Sequence, residues 1–81
     1  MKINLPLIVE QRKNKKYSID KMAEFLGLSN GSMYWKRENG HYEFKSKELP
    51  VLSQVLEIPF NSLFLSESYS KTEIKNNKAV I

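Results

Sequence analysis

The alternation of apolar and polar positions predicts helices along most of the first 65 residues. Apolar side chains recur three or four positions apart, which places them on one face of a helix. Pro6 fits the first turn of a first helix over about residues 5–15, where its missing N–H costs no hydrogen bond. Ser18 is a favourable N-cap for a second helix over residues 19–26, and Gly27 ends that helix.

The breaks further along the chain define three more helices. Asn39-Gly40 ends a third helix over about residues 30–38. Residues 41–45 alternate and predict a short extended loop, from which Phe44 fills the core. A fourth helix over about residues 47–56 carries Pro50 in its first turn, where a proline is tolerated. Ile58-Pro59 stops it, and residues 61–65 predict a short fifth helix.

Five helices with short connections predict a compact all-α bundle over residues 1–65. Residues 66–81 form a polar C-terminal tail that is either disordered or ordered at its end as a dimer contact. At roughly 1.5–3 kcal/mol for each fully buried large side chain, the inward set suffices for a marginal core. The side chains expected inside are Ile8, Val9, Met22, Ala23, Leu26, Leu28, Leu52, Leu56, Ile58, Leu63 and Phe64.

The positive charge is concentrated in the first part of the chain. Residues 1–49 contain ten Lys and Arg against six Asp and Glu, whereas residues 50–81 contain three of each. This excess fits a polyanionic partner, since neutralising phosphates supplies most nonspecific affinity for nucleic acids. It equally fits a solvated, lysine-rich surface. The basic run at residues 12–16 has the same two explanations, because cations also stabilise a helix C-terminus.

Several classes of protein are disfavoured by what the chain lacks. It has no Cys and a single His, His41, so we expect neither a metal site nor a cofactor. The sequence has no pairing of a nucleophile with a base and no glycine-rich phosphate loop, so we expect no enzyme and no small-molecule substrate. No apolar run approaches the roughly 18 residues of a membrane span. The apolar patch at residues 5–9 is too short for a secretory signal, so we expect a cytoplasmic protein.

Residues 18–37 carry the pattern of a helix-turn-helix, in which two short helices meet at a bend. The ordered motifs around this unit resemble those of the Cro/repressor-type (Xre) helix-turn-helix family, which has the lambda-repressor-like fold. The resemblance covers about residues 5–65. It rests on Arg12, Ser18, Met22-Ala23, Leu26-Gly27-Leu28-Ser29, Glu38-Asn39-Gly40, Leu49, Leu52-Ser53, Leu56-Glu57-Ile58 and Leu63-Phe64.

The chain departs from the family pattern at two places. Ser53 stands where the family has Ala, which leaves the packing plausible. The segment from residue 29 to residue 40 is one residue longer than usual, so the third helix has two possible registers. Met33 packs inward in one of them. In the other Tyr34 packs inward, and Glu38 could pair with Arg12 as the family commonly does. We slightly favour Met33, because a buried Tyr needs a partner for its hydroxyl.

The resemblance implies a sequence-specific, double-stranded-DNA-binding transcriptional regulator of the phage or mobile-element repressor kind. Its third helix would enter the major groove, and it would bind as a homodimer. Side chains of the third helix that could reach base edges are Asn30, Ser32, Tyr34, Trp35, Lys36 and Arg37. Candidates for phosphate contact are Ser18, Lys21, His41 and Lys45.

Some of these candidates have structural explanations as well. Trp35 could pack in the core or cover the first helix. Lys36 and Arg37 could simply form the basic last turn of a helix. The density of aromatic residues around the third helix also favours a rival function. In that rival, the fold is a protein-interaction module, an antitoxin or an antagonist of another regulator, that binds through Tyr34, Trp35, Tyr42 and Phe44.

Overall fold

The computed structural model describes residues 2–65 and contains four α-helices in that part of the chain. They are α1 (Leu5–Asn14), α2 (Ile19–Leu26), α3 (Gly31–Glu38) and α4 (Leu49–Leu56). Two short 3-10 turns, at Ser46–Glu48 and Phe60–Leu63, precede and follow α4. The all-α prediction is therefore confirmed for the described residues. The predictions for the tail lie outside them.

Side-chain caps fix where three of the helices begin. Asn4, Ser18 and Asn30 each accept a backbone hydrogen bond from the residue three positions on, at 3.0–3.2 Å. Such a cap satisfies one of the N–H groups that a first turn leaves without a partner. Gly27 ends α2 in the left-handed conformation, at φ 73°, which glycine adopts without steric cost. The predicted bounds of α2 are correct for these reasons.

The second half of the bundle is less regular than expected. The predicted fourth helix begins as a 3-10 turn and becomes α-helical at Leu49, with Pro50 in its first turn as expected. The expected fifth α-helix is only the 3-10 turn Phe60–Leu63. A single turn suffices there, because Leu63 is already fully buried while Phe60 stays exposed.

The core lies between α1, α2, α3 and α4. Seven of the eleven side chains expected inside are buried, and Phe44 fills the core from its loop as predicted. The other four, Val9, Leu26, Leu28 and Phe64, are only half-buried. Of these, Leu26, Leu28 and Phe64 pack against the buried set. Phe25 also covers an edge, since its ring packs edge-on against Tyr17 at 5.1 Å.

The preference for Met33 as the inward residue of α3 is wrong. Tyr34 is fully buried and Met33 is half-buried. The objection to a buried Tyr fails because its hydroxyl donates a 2.7 Å hydrogen bond to the Glu38 carboxylate. Gly31 is buried at the start of α3, where the helix packs closely on the first turn of α2. A Cβ at position 31 would meet the carboxylate of Asp20 and lie 3.3 Å from Ile19 Cγ2, so a larger residue there would require these side chains to shift.

The two ends of the described chain lie side by side. Ile3 and Phe64 form an isolated antiparallel bridge. The Asn4 N–H donates to the Leu63 carbonyl at 2.7 Å, and the Leu65 N–H donates to the Lys2 carbonyl at 2.9 Å. We call this pairing of residues 2–4 with residues 63–65 the terminal clasp.

Helices long and apolar enough to cross a membrane are lacking in residues 2–65.

Candidate nucleic-acid interface

The inward face of α3 is polar. Its fully or nearly fully buried side chains are Tyr34, Arg37 and Glu38, at 0%, 4% and 6% exposure. Charged side chains are almost never fully buried unless they are paired. Each of these two charges therefore requires a partner on another element, and the structure supplies both.

The first partner is Arg12 on α1. Its Nε and Nη2 donate to the two carboxylate oxygens of Glu38 at 2.9 and 3.1 Å, which is a bidentate pair. Its Nη1 donates to the Tyr17 carbonyl at 3.0 Å. Burial raises the pKa of the Tyr34 phenol above its ordinary value, and the hydrogen bond to Glu38 raises it further. Tyr34 thus stays protonated and acts as a donor that holds Glu38.

The second partner is Glu48, at the end of the first 3-10 turn. Arg37 Nε donates to Glu48 Oε1 at 2.9 Å, and Arg37 Nη1 donates to the Met33 carbonyl at 3.1 Å. The same Glu48 oxygen accepts the Lys45 N–H at 3.0 Å. This pair ties α3 to the loop that follows it. Since the sequence contains two arginines, Arg12 and Arg37, both are committed to holding α3.

The outward face of α3 carries a polar stripe between two large apolar side chains. Ser32 and Lys36 are four residues apart and so lie on one face. Trp35, 46% exposed, flanks this stripe on one side, and the half-buried Met33 flanks it on the other.

The loop after α3 extends this face through two contacts with the helix. The rings of Trp35 and His41 stack, with centroids 5.5 Å apart and an angle of 18° between their planes. The Lys36 ammonium lies 5.4 Å from the centroid of the Tyr42 ring, which is itself 53% exposed. We call the resulting set the α3 surface; it consists of Ser32, Met33, Trp35, Lys36, His41 and Tyr42.

The six base-edge candidates separate into two groups. Ser32, Trp35 and Lys36 lie on the α3 surface. Asn30 is exposed at its edge, but its amide oxygen caps the helix. The expectation that helix 3 presents Arg37, and could present Tyr34, is wrong, because both side chains are buried in the hydrogen bonds described above. Neither can reach a base edge without breaking those bonds.

The four phosphate candidates all have exposed side chains, in two separate places along the chain. Ser18 and Lys21 stand in the first turn of α2, where the Ser18 hydroxyl accepts the Lys21 N–H. Lys21 also pairs with Glu24 at 3.4 Å and lies 5.5 Å from the Phe25 ring centroid. His41 and Lys45 belong to the loop after α3.

The sequence predicted neither the pairing of Glu48 with Arg37 nor the close packing of Gly31 against α2. Glu48 lies eleven residues after Arg37, across a loop whose path the sequence does not define. Gly31 reads as turn chemistry, and its contact with Asp20 depends on how α2 and α3 pack. The Lys45–Glu48 spacing, which is that of a capping interaction, is the only local signal that Glu48 had a partner.

Within the described residues, no three His, Asp or Glu side chains are grouped as a metal site requires.

Comparison with protein-family models, with curated proteins and with solved structures found nothing that matches this chain. The resemblance to the Cro/repressor-type family stays a prediction from the sequence.

Proposed function

We propose that this chain is a sequence-specific, double-stranded-DNA-binding transcriptional regulator of the Cro/repressor helix-turn-helix type. In this proposal α2 and α3 form the helix-turn-helix, α3 enters the major groove, and α2 crosses the DNA backbone. The protein is not an enzyme, and it acts as a homodimer in the cytoplasm.

One observation carries the proposal: two ion pairs hold the inward side of α3, while within residues 2–65 its opposite face keeps exposed side chains. Arg12 and Arg37 immobilise the inward side of the helix against α1 and the loop. A recognition helix has to present its side chains in a fixed orientation, because hydrogen bonds and contacts to base edges depend on geometry.

The distribution of exposed charge agrees with a DNA partner. With Arg12 and Arg37 neutralised internally, the positive charge available to phosphates comes from lysines. Lys21 and the half-buried Lys36 lie within the helix-turn-helix, and Lys45 follows it in the loop after α3. The start of α2 offers backbone N–H groups beside Ser18. Lysines and helix N-termini are the groups that commonly bind DNA phosphates.

A binding selection from randomised duplexes tests the proposal. We expect duplexes of shared sequence to be enriched, with an affinity that falls steeply between 50 and 200 mM salt. Lys36→Ala should lower the affinity about fivefold, which corresponds to roughly 1 kcal/mol for the loss of one hydrogen bond.

Lys13→Ala is the matched control, since it removes the same charge from an exposed position on α1. It should weaken binding far less and leave the preferred sequence unchanged. The proposal is wrong if no duplex is retained at low salt. An equal effect of both variants would show that Lys36 is misassigned.

The homodimer needs a contact surface, and Phe60 supports one. It is 48% exposed beside Phe64, against which its ring packs edge-on at 5.5 Å. Phe25 supports such a surface less well, because its ring already packs against Tyr17. A two-fold symmetric sequence in the selected duplexes, with half-sites about 34 Å apart, would support the dimer.

The protein-interaction module is the second candidate, and it is favoured by the exposure of Trp35 and Tyr42. The surface proposed for it is smaller than the sequence suggested, because Tyr34 and Phe44 are buried. Failure of the duplex selection would leave this candidate ahead.

A further inference from the structure

We propose that the α3 surface distinguishes base pairs mainly through the 5-methyl group of thymine rather than through hydrogen bonds to guanine or adenine. The inference rests on the proposed function and names the feature of the DNA that α3 reads. It follows from which side chains of α3 are buried or already hydrogen-bonded, and which remain on the α3 surface.

Arginine, the side chain that commonly recognises guanine, is missing from the α3 surface. Arginine recognises guanine by donating two hydrogen bonds to O6 and N7. The chain has two arginines, and each is bound to a buried carboxylate, at 2.9 Å in both cases. Lys36 is the one cation left on α3. Its ammonium is a point charge without the planar, forked geometry of a guanidinium.

The two asparagines at the ends of α3, which could recognise adenine, are already hydrogen-bonded to the helix backbone. Asparagine recognises adenine with its amide oxygen and amide nitrogen together. Asn30 uses its oxygen to cap α3, where it accepts the Met33 N–H at 3.1 Å. Asn39, at the other end of the helix, uses its nitrogen to donate to the Trp35 carbonyl at 2.9 Å. The helix termini thus fix the orientation of both amides.

Three of the six side chains of the α3 surface are large and apolar or aromatic, beside Ser32, Lys36 and a His41 ring that stacks on Trp35. Met33, Trp35 and Tyr42 offer large hydrocarbon or aromatic surfaces, and Ser32 offers one small hydroxyl. In the major groove the thymine methyl is the one apolar group among the four bases. An apolar contact with it excludes water from both surfaces, which favours A·T over G·C without any hydrogen bond. Lys36 retains a role as a phosphate or single guanine contact.

Uracil substitution in the selected duplex tests the inference directly. Replacing one thymine by uracil removes the methyl group and leaves the hydrogen-bonding edges of the base pair unchanged. We expect about a fourfold loss of affinity at each contacted thymine, the factor that corresponds to roughly 0.8 kcal/mol for one buried carbon group. The variants Met33→Ala and Trp35→Ala should each abolish the uracil effect at one thymine position, which identifies the contacting side chain.

Two controls keep the test interpretable. Circular dichroism and the urea midpoint must show that each variant is folded. Lys13→Ala, at an exposed position on α1 outside the α3 surface, should retain the full uracil effect. Substitution of 7-deazaguanine, which removes the N7 acceptor, reports on guanine reading. We expect it to matter at no more than the position that Lys36 contacts.

The outcomes separate the inference from the function on which it rests. Duplex binding that changes less than twofold on full replacement of thymine by uracil overturns the inference and leaves the proposed function standing. A larger loss from 7-deazaguanine than from uracil overturns it as well. If no duplex is selected at all, the proposed function fails and takes the inference with it.

Discussion

Helices α2 and α3 are neighbours of equal length, but opposite kinds of side chain hold them in place. In α2 the buried residues are the apolar Met22 and Ala23, while Asp20, Lys21 and Glu24 face outward. In α3 a tyrosine and two charged residues face inward, and Trp35 and Met33 lie on the outward half. The usual amphipathic pattern holds for α2 and is partly inverted in α3.

The difference matters because the two kinds of attachment restrict different motions. Burial of apolar surface has no preferred direction, so it restricts the rotation of α2 only through close packing. The hydrogen bonds of Arg12 and Arg37 are directional, and rotation of α3 about its axis would stretch both at once. A buried ion pair contributes little to net stability because of its desolvation cost. We infer that these two pairs chiefly fix the orientation of α3.

The largest expected effect comes from removing Glu38. Glu38→Ala leaves Arg12 and the Tyr34 hydroxyl without their acceptor in a buried site. Breaking a buried pair from one side costs about 3–5 kcal/mol of unfolding free energy. Urea denaturation measures it. Glu24→Ala, at an exposed glutamate of α2, is the control and should change the stability by less than about 0.5 kcal/mol. A loss from Glu38→Ala below about 1 kcal/mol would contradict the difference between the helices.

Replacing the whole second pair should separate stability from orientation. Glu48→Ala alone leaves Arg37 buried and unpaired, and we expect a loss of about 3–5 kcal/mol. The double change Arg37→Met with Glu48→Leu removes both charges, and it should restore stability to that of the natural protein or above it. DNA affinity should nevertheless stay reduced in the double variant, since the directional contact is gone. A double variant as unstable as the single one in urea would refute this account.

The smallest expected effect concerns the Tyr34 hydroxyl and depends on pH. Tyr34→Phe removes the hydrogen bond to Glu38, at a cost of about 1.5 kcal/mol at neutral pH. The folded state holds the Tyr34 proton because its pKa is raised, whereas the unfolded chain releases it near pH 10. The natural protein should therefore lose up to about 1.4 kcal/mol of stability per pH unit above pH 10, and the variant should not lose this contribution.

Urea midpoints of the two proteins between pH 7 and 11 check this prediction. The deficit of Tyr34→Phe should be constant up to about pH 9 and should close near pH 11. Groups that titrate in both proteins cancel in the difference. A deficit that stayed the same at every pH would mean that Tyr34 loses its proton as readily when folded as when unfolded.

The same contrast decides how far the sequence could predict the structure. The bounds and inward face of α2 follow from apolar spacing, a serine cap and a glycine stop, all of which are local. The register of α3 depends on whether a buried Tyr34 finds an acceptor and a buried Arg37 finds a carboxylate. Glu38 lies one turn after Tyr34 on the same helix. The family resemblance implies its pairing with Arg12 in the register that the structure has. Glu48 is not local, because its position depends on the path of residues 41–45.

The candidate site was accordingly predicted only in part. Ser32 and Trp35 are exposed and Lys36 is half-buried. All three lie on the outward half of α3 as expected, because residues one helical turn apart share a face. Arg37 was misassigned because a basic residue in a last helical turn is normally solvated. Arg37 can be buried only because the folded chain brings the Glu48 carboxylate to 2.9 Å from its guanidinium.

The terminal clasp has a mechanical consequence. Its two backbone hydrogen bonds join antiparallel segments, and Lys2 and Leu65 lie at the same end of the pair. A force that pulled residues 2 and 65 apart would load the Leu65–Lys2 bond first and the Leu63–Asn4 bond only after the first had broken. Bonds that break one at a time resist far less force than bonds sheared together. The bundle should therefore open under tension from its ends inward, with the terminal clasp separating before α2 and α3 are disturbed.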